Sequence, residues 1–340
     1  MESNNRKKVK IYGTIGPACR DASVLKAMFR EGMDGVRLNL SHTTLEDAAD
    51  LIESCRREAD VCGVSPELLI DMQGPELRAG SLKEPLELKD GDHVGADTIP
   101  LPDVVVEKLT ESGEGQEVLL DDGKILLKTE KTDQAQMPAF RVIRGGLLRS
   151  RKSVALPGVS IKTPAMTEKD RKQIAKAGRY GVTAVMQPFV RGKEDLIEVR
   201  EALDSAGCKD IRLFAKIENM TGAEKIEELI PYCDEIVIAR GDLGNSMELW
   251  ELPAVQKRIA GVCRREGRDF MVVTQMLESM THRQVPTRAE VSDIFNAVLD
   301  GAASVMVTGE TAAGNYPVLV IRYLSRTARE AEKFLQTENI

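Results

Sequence analysis

At 340 residues, 42% of them hydrophobic, the chain is long enough for a large buried core and, by length alone, for about two domains. A formal net charge of -7 weighs against nucleic acid or an anionic membrane as partner, while leaving room for an anionic small molecule held by a local basic cluster. The stretch Met1–Lys8 carries charge with no apolar core behind it, and no apolar run approaches the roughly 18 residues of a membrane span, so neither a signal peptide nor a membrane partner is expected and the expected location is cytoplasmic.

In chain order, Val9–Gly13 reads as a strand, Ala22–Glu31 as a helix, Gly35–Leu40 as a strand, Thr44–Ala59 as a helix and Leu68–Met72 as a strand. The alternation then stops. From Gly80 to Ala155 the only helical piece lies near Asp103–Leu109. Hairpin signals replace it: Lys89-Asp90-Gly91-Asp92, and Val118–Leu120 joined to Ile125–Lys128 through Asp121-Asp122-Gly123-Lys124. This predicts a small β domain inserted after the third strand. Helices follow at Glu168–Tyr180, Lys193–Ala206 and Gly222–Ile230, with strands at Ala184–Pro188, Ile211–Ile217, Glu235–Ala239, Met271–Thr274 and Ser304–Val307, and a last helix at Ala328–Leu335.

Strand–helix alternation favours a parallel sheet, and roughly eight units point to a closed (β/α)8 TIM barrel, with a doubly wound open sheet as the alternative. The expected division is 1–79 and 156–340 for the barrel and 80–155 for the insert. The six cysteines include no C-x-x-C pair and fit reduced thiols better than disulfides; three scattered histidines are too few for a His-based zinc site.

Loops leaving the carboxyl ends of barrel strands build active sites, and the unusual polar residues fall at those ends. Lys216 and Glu218, two apart, share one face of a strand, and Asp242 at the next strand end adds a second carboxylate. Two carboxylates with water and substrate oxygens suit Mg²⁺ or Mn²⁺; a plain Lys216–Glu218 ion pair is the alternative. The run Arg240-Gly241-Asp242-Leu243-Gly244 offers bare amides to an anion, or is simply a tight turn. Arg37 and Arg78 suit phosphate oxygens, or surface salt bridges. The acidic hairpin at Asp121–Asp122 is expected to stay solvated.

Thr14–Pro17, Arg37–His42, Gly74–Arg78, Leu156-Pro157-Gly158, Lys216–Asn219, Ala239–Gly244, Thr274–Met280 with Pro286–Glu290, Asn296–Gly301, and Gly309–Ala312 with Tyr316-Pro317 together resemble the pyruvate kinase family, in its order, from about residue 8 to 317. The resemblance implies transfer of the phosphoryl group of phosphoenolpyruvate to ADP, the last step of glycolysis. It implies that Arg37 holds the phosphoryl group, that Lys216 neutralises it and the developing enolate, and that Glu218 and Asp242 bind Mg²⁺. Gly241, Asp242 and Thr274 would surround the substrate carboxylate, with Thr274 on the side where the enolate gains its proton. Asn39, Ser41, Asp71 and the carbonyl of Met72 match a K⁺ site, Glu76 matches the acid of K⁺-dependent members, and His42, Arg78 and Lys152 map to the nucleotide side. The insert resembles a lid, and a homo-oligomer is among the expected partners.

The chain departs from the family's pattern in several places. Gln187-Pro188-Phe189 stands where a serine usually precedes the phenylalanine, Asn245-Ser246-Met247-Glu248 follows strand six, Ala155 replaces a common asparagine, and the lid is short. The expected end of the chain, after Ala328–Leu335, falls where the family's C-terminal effector domain would begin, which implies no activation by sugar phosphates. The competing functions are a catalytically impaired relative that binds phosphoenolpyruvate or nucleotide, and a phosphoenolpyruvate- or pyruvate-dependent aldolase on the same metal.

Overall fold

The computed structural model describes residues 8–130, 138–159, 161 and 163–338. Eight parallel strands close a barrel: β1 (Lys10–Thr14), β2 (Gly35–Asn39), β3 (Glu67–Asp71), then, after the insert, β11 (Ala184–Gln187), β12 (Arg212–Ile217), β13 (Glu235–Ala239), β14 (Phe270–Val273) and β15 (Ser304–Val307). The ring runs in sequence order and closes between β15 and β1, with Lys10 opposite Ser304. An open sheet is thereby excluded.

Alternation along each strand divides the core in two. One set of side chains fills the lumen: Tyr12, Leu69, Met186, Phe214, Val237, Met271 and Met306, with smaller residues between them. The other set packs outward under the helices in one continuous layer. Gly35 answers a packing demand: a Cβ there would stand 2.4 Å from the Tyr12 ring, so only glycine lets that ring occupy the lumen.

Between β3 and β11 lies an antiparallel module with its own apolar cluster, from Ala79 to Ile161. Its strands are β4 (Leu86–Leu88), β5 (His93–Gly95), β6 (Glu117–Leu120), β7 (Ile125–Glu130), β8 (Ala139–Arg144), β9 (Gly146–Leu148) and β10 (Val154–Ala155), with a helix over Asp103–Ser112. The expected hairpin between β6 and β7 is present, with Leu120 paired to Ile125. The one expected at Lys89–Asp92 is not. β4 pairs with β9 and β5 with β8, so those residues turn a corner between two sheets; the Asp92 carboxylate accepts the Lys89 N–H at 2.9 Å and fixes the corner locally.

Several helix bounds also differ from expectation. The helix expected at Thr44 begins at Ala49 and reaches Val61, because the Thr44 hydroxyl donates to the Asp47 carboxylate and accepts the Asp47 N–H in a turn of its own. Glu168–Ile174 ends early, and a separate 3-10 turn at Gly178–Tyr180 follows. Gly222–Ile230 is two short helices, Met220–Glu224 and Ile226–Leu229, and Pro231 then sits in a 3-10 turn that cannot extend them. The last helix is longer than expected, Pro317–Thr337, and buries Val320, Ile321, Leu324, Ala328 and Ala331.

Candidate active site

Lumen parity sets the site. Two residues beyond Tyr12, Leu69 and Phe214, the same inward face is carried by Thr14, Asp71 and Lys216, and Arg37 stands opposite Thr14 in register. Their side chains form one network at the carboxyl end of the barrel. Arg37 Nη1 donates to Thr14 Oγ1 at 3.1 Å, while its Nε and Nη2 donate to Asp71 Oδ2 at 2.9 and 2.6 Å. Lys216 Nζ reaches that same oxygen at 3.1 Å and Glu218 Oε1 at 2.7 Å. Glu218 Oε2 accepts the Phe189 N–H at 2.8 Å.

The electrostatics follow from the pairing. Burial alone would push the Lys216 ammonium down, but the Asp71 and Glu218 carboxylates outweigh it and hold the pKa above its ordinary value. Burial would raise Asp71; Lys216 and Arg37 overcome that and lower it. Arg37 and Lys216 thus meet two carboxylates, Asp71 and Glu218, in one buried cluster. Asp242 makes no salt bridge among the described residues; burial, and then the Glu218 charge, push its carboxyl up, and the Lys216 charge lowers it only in part. A divalent cation beside Glu218 and Asp242 would offset the burial that disfavours the Asp242 charge, and two carboxylates form a donor set that fits Mg²⁺ or Mn²⁺. Among the described residues no group of three or more His, Cys, Asp or Glu side chains forms a cage by itself, so such an ion depends on substrate and water oxygens as well.

Thr274 stands just past β14 with φ +73, and Gln275 follows at φ +54. A β-branched residue in the left-handed region is strained and needs outside support. Arg240 supplies it: Nε and Nη2 donate to the Thr274 carbonyl at 3.2 and 2.7 Å, and Asp293 anchors the guanidinium at 2.7 Å. Thr274 Oγ1 accepts the Gly241 N–H at 2.7 Å, which brings Thr274 to the Gly241–Asp242 turn of a short helix, Arg240–Gly244, that stands where a plain tight turn was the alternative. Glu290 holds the next stretch by accepting from the backbone and hydroxyl of Ser279 and from the Thr287 N–H.

Around the expected K⁺ ligands, Asn39 pairs with Asp71 in register, and Asn39 Oδ1 accepts the Ser41 N–H at 3.1 Å. Met72 N–H donates to the Met186 carbonyl. Asp71 Oδ1 is buried without a hydrogen-bond partner among the described residues, as a cation ligand in waiting would be. A cavity of about 990 Å³ over the barrel mouth is lined by Arg37, Asn39, His42, Lys216, Asp242 and Thr274, among others. Arg78 and Lys152 are not among its lining. They stand at the junction of barrel and insert, Arg78 on Glu76 at 2.6 Å and on the Arg151 carbonyl, Lys152 on Asp121 at 2.7 Å.

The hairpin acids need a correction. Asp121 is not simply solvated, being paired with Lys152 and Lys124, and Asp122 borders the cavity with Glu218 and Asp242. The sequence reading also missed Asp71 as the joint between Arg37 and Lys216; the shared lumen parity of the three strand ends is the signal that finds it. The Phe189 amide has no such signal, because it depends on a turn conformation.

A closed barrel of eight parallel strands, with cations and carboxylates interleaved at their carboxyl ends and an antiparallel module inserted after the third, belongs to the (β/α)8 class, whose enzymes carry their active sites at that end. The family model described as pyruvate kinase, barrel domain, matches residues 6–321. This chain belongs to the pyruvate kinase family. It is 36% identical to the pyruvate kinase of Geobacillus stearothermophilus over 98% of its own length and 59% of that protein's. It is 37% identical to that of Aeropyrum pernix, covering 98% of this chain and 72% of the relative, and 35% identical to that of Clostridium perfringens, covering 96% and 70%. The chain therefore spans little more than half of some relatives and about seven-tenths of others.

Proposed function

We propose that this chain transfers the phosphoryl group of phosphoenolpyruvate to ADP, giving pyruvate and ATP. The bond from phosphorus to the enol oxygen breaks, a bond to the terminal ADP oxygen forms, and the enolate takes a proton at carbon. The observation that carries the reading is the Arg37–Asp71–Lys216–Glu218 cluster, two cations held in fixed positions at the barrel mouth. Arg37 binds the phosphoryl group, and Lys216, kept charged by its neighbours, neutralises it and the enolate oxygen. Glu218 and Asp242 hold Mg²⁺ or Mn²⁺, which when bound neutralises substrate oxygens. Asn39, Ser41, Asp71 and the Met72 carbonyl hold K⁺.

Thr274, with the Gly241–Asp242 turn, orients the carboxylate of phosphoenolpyruvate and lies on the protonation side. His42, Arg78 and Lys152 serve ADP as the 80–155 module closes over the 1–79 and 156–340 barrel; the last two must then exchange their carboxylate partners for the nucleotide. The protein works in the cytoplasm; among the described residues no helix is long and apolar enough to cross a membrane. The test is ³¹P NMR for the phosphates and ¹H NMR for the pyruvate methyl group, on the protein with phosphoenolpyruvate, ADP, Mg²⁺ and K⁺. ATP and pyruvate are expected in equal amounts. Binding of both substrates without turnover overturns the reading in favour of an impaired relative.

A further inference from the structure

The departure at Gln187-Pro188-Phe189 has no role in the chemistry above, yet it touches the metal carboxylate. Gln187 is 1% exposed at the end of β11. Its Nε2 donates to the Ala165 carbonyl at 2.7 Å and to the Pro188 carbonyl at 3.2 Å. Pro188 has no N–H, so it offers the site no amide, and the next amide in the turn, that of Phe189, goes to Glu218 Oε2 at 2.8 Å. That amide is aimed by an uncommon backbone: Phe189 has φ +54. A bulky residue stays there only when its surroundings fix it. Two features do. The amide of Gln187 pins the carbonyl just before Phe189. Gly74, itself at φ +63, packs so closely that a Cβ there would stand 2.4 Å from Pro188 Cγ. The Gly74 and Gln73 amides in turn are held by the fully buried Asp170 at 3.1 and 2.8 Å.

We propose that Gln187 is a positioning residue for the metal site: its buried amide holds the Pro188–Phe189 turn so that the Phe189 N–H fixes one oxygen of Glu218. The proposal rests on the reading of Glu218 as a ligand of Mg²⁺ or Mn²⁺. With Oε2 held by Phe189 and Oε1 by Lys216, the carboxylate plane is set before a metal arrives. Groups that orient a metal ligand in this way commonly change metal affinity by 10–100-fold when removed. Ala165 lies on the stretch by which the chain returns from the antiparallel module to the barrel, so the same amide also ties that return to the turn.

The test measures Mn²⁺ affinity by electron paramagnetic resonance, without turnover, in the wild type, in Glu218→Gln, and in Gln187→Met and Gln187→Glu. The last two are close in size to glutamine; methionine has no donor, and glutamate has none once ionised. Loss of Mn²⁺ binding in Glu218→Gln with a weakening on the order of 10-fold in the donor-less variants is the expected result. Binding unchanged in Glu218→Gln overturns the ligand reading itself. Binding lost there but unchanged in whichever Gln187 variant folds overturns only this proposal, and a lower melting temperature alone marks Gln187 as structural. Should neither variant fold, selective ¹⁵N-phenylalanine labelling of the wild type decides, since the chain has only seven phenylalanines. The Phe189 amide is expected to move most on adding Mg²⁺, and a Phe189 resonance insensitive to the ion overturns the proposal.

Discussion

Removing Lys216 takes away more than the charge proposed to meet the phosphoryl group. Its ammonium is shared by Asp71 and Glu218, so Lys216→Met leaves Asp71 with Arg37 alone and Glu218 with no paired cation among the described residues. The rate of phosphoryl transfer is expected to fall on the order of 10³-fold or more. Stability is expected to fall too, by up to about 3–5 kcal/mol, as when one partner of a buried pair is deleted. Single-turnover kinetics and a thermal melt read the two separately, and a variant that keeps a tenth of the wild-type rate removes Lys216 from its role. Asp71 makes a complementary prediction. Its Oδ2 serves Arg37 and Lys216 while its Oδ1 is orphaned. In a titration of KCl against tetramethylammonium chloride at fixed ionic strength, the wild type is expected to need K⁺, and Asp71→Asn to need several-fold more of it. Full wild-type activity without K⁺ sinks the cation assignment.

Among the elements, those announced by local chemistry were legible and those set by distant pairing were not. The barrel strands are runs of β-branched and apolar residues, and each expected one is present within a residue or two. The β6–β7 turn carries its own cause, since Asp121, Asp122 and Gly123 all take positive φ, which Asp and Gly tolerate best. Lys89-Asp90-Gly91-Asp92 looks the same locally, but its flanking strands find β9 and β8, far along the chain. The place of Asp122 at the cavity was hidden for the same reason, because the sequence does not say where a hairpin tip lands. Here it lands on the barrel: a Cβ at Gly123 would stand 2.7 Å from Asn245 Oδ1. Gly123→Ala is expected to reduce kcat several-fold by tilting the hairpin, and to cost about 1 kcal/mol through its φ of +76. Adding Asn245→Gly should recover the part owed to the clash. Stopped-flow rates with the double variant no better than the single would show that the tip does not need to seat there.

At the scale of the whole molecule, the two ends of the barrel do different work, and pH separates them. At the end opposite the cavity, Glu235 is buried, accepts the Ser304 hydroxyl and lies 3.8 Å from Arg212, while Glu67 is ringed by Lys10, Tyr12 and Arg212. Their pKa values move in opposite directions. Burial dominates at Glu235 and pushes it from 4.5 up to about 7. At Glu67 burial also raises, but Lys10, Tyr12 and Arg212 together lower it. The raised group binds its proton more tightly folded than unfolded. Its contribution is therefore complete below about pH 4.5 and is lost as pH rises through about 7. The lowered group contributes above its unfolded pKa and loses that contribution as pH falls through the folded one. Glu235→Gln keeps the size and removes the first titration alone. Relative to the variant, the wild type is expected to lose up to about 3 kcal/mol between pH 4.5 and 7 and nothing further above it. Urea midpoints for both proteins at half-unit steps from pH 4.5 to 8.5 measure that difference. Two curves running parallel across the window would mean that Glu235 is ionised at neutral pH in the folded barrel, held so by Arg212 and Ser304 against its burial.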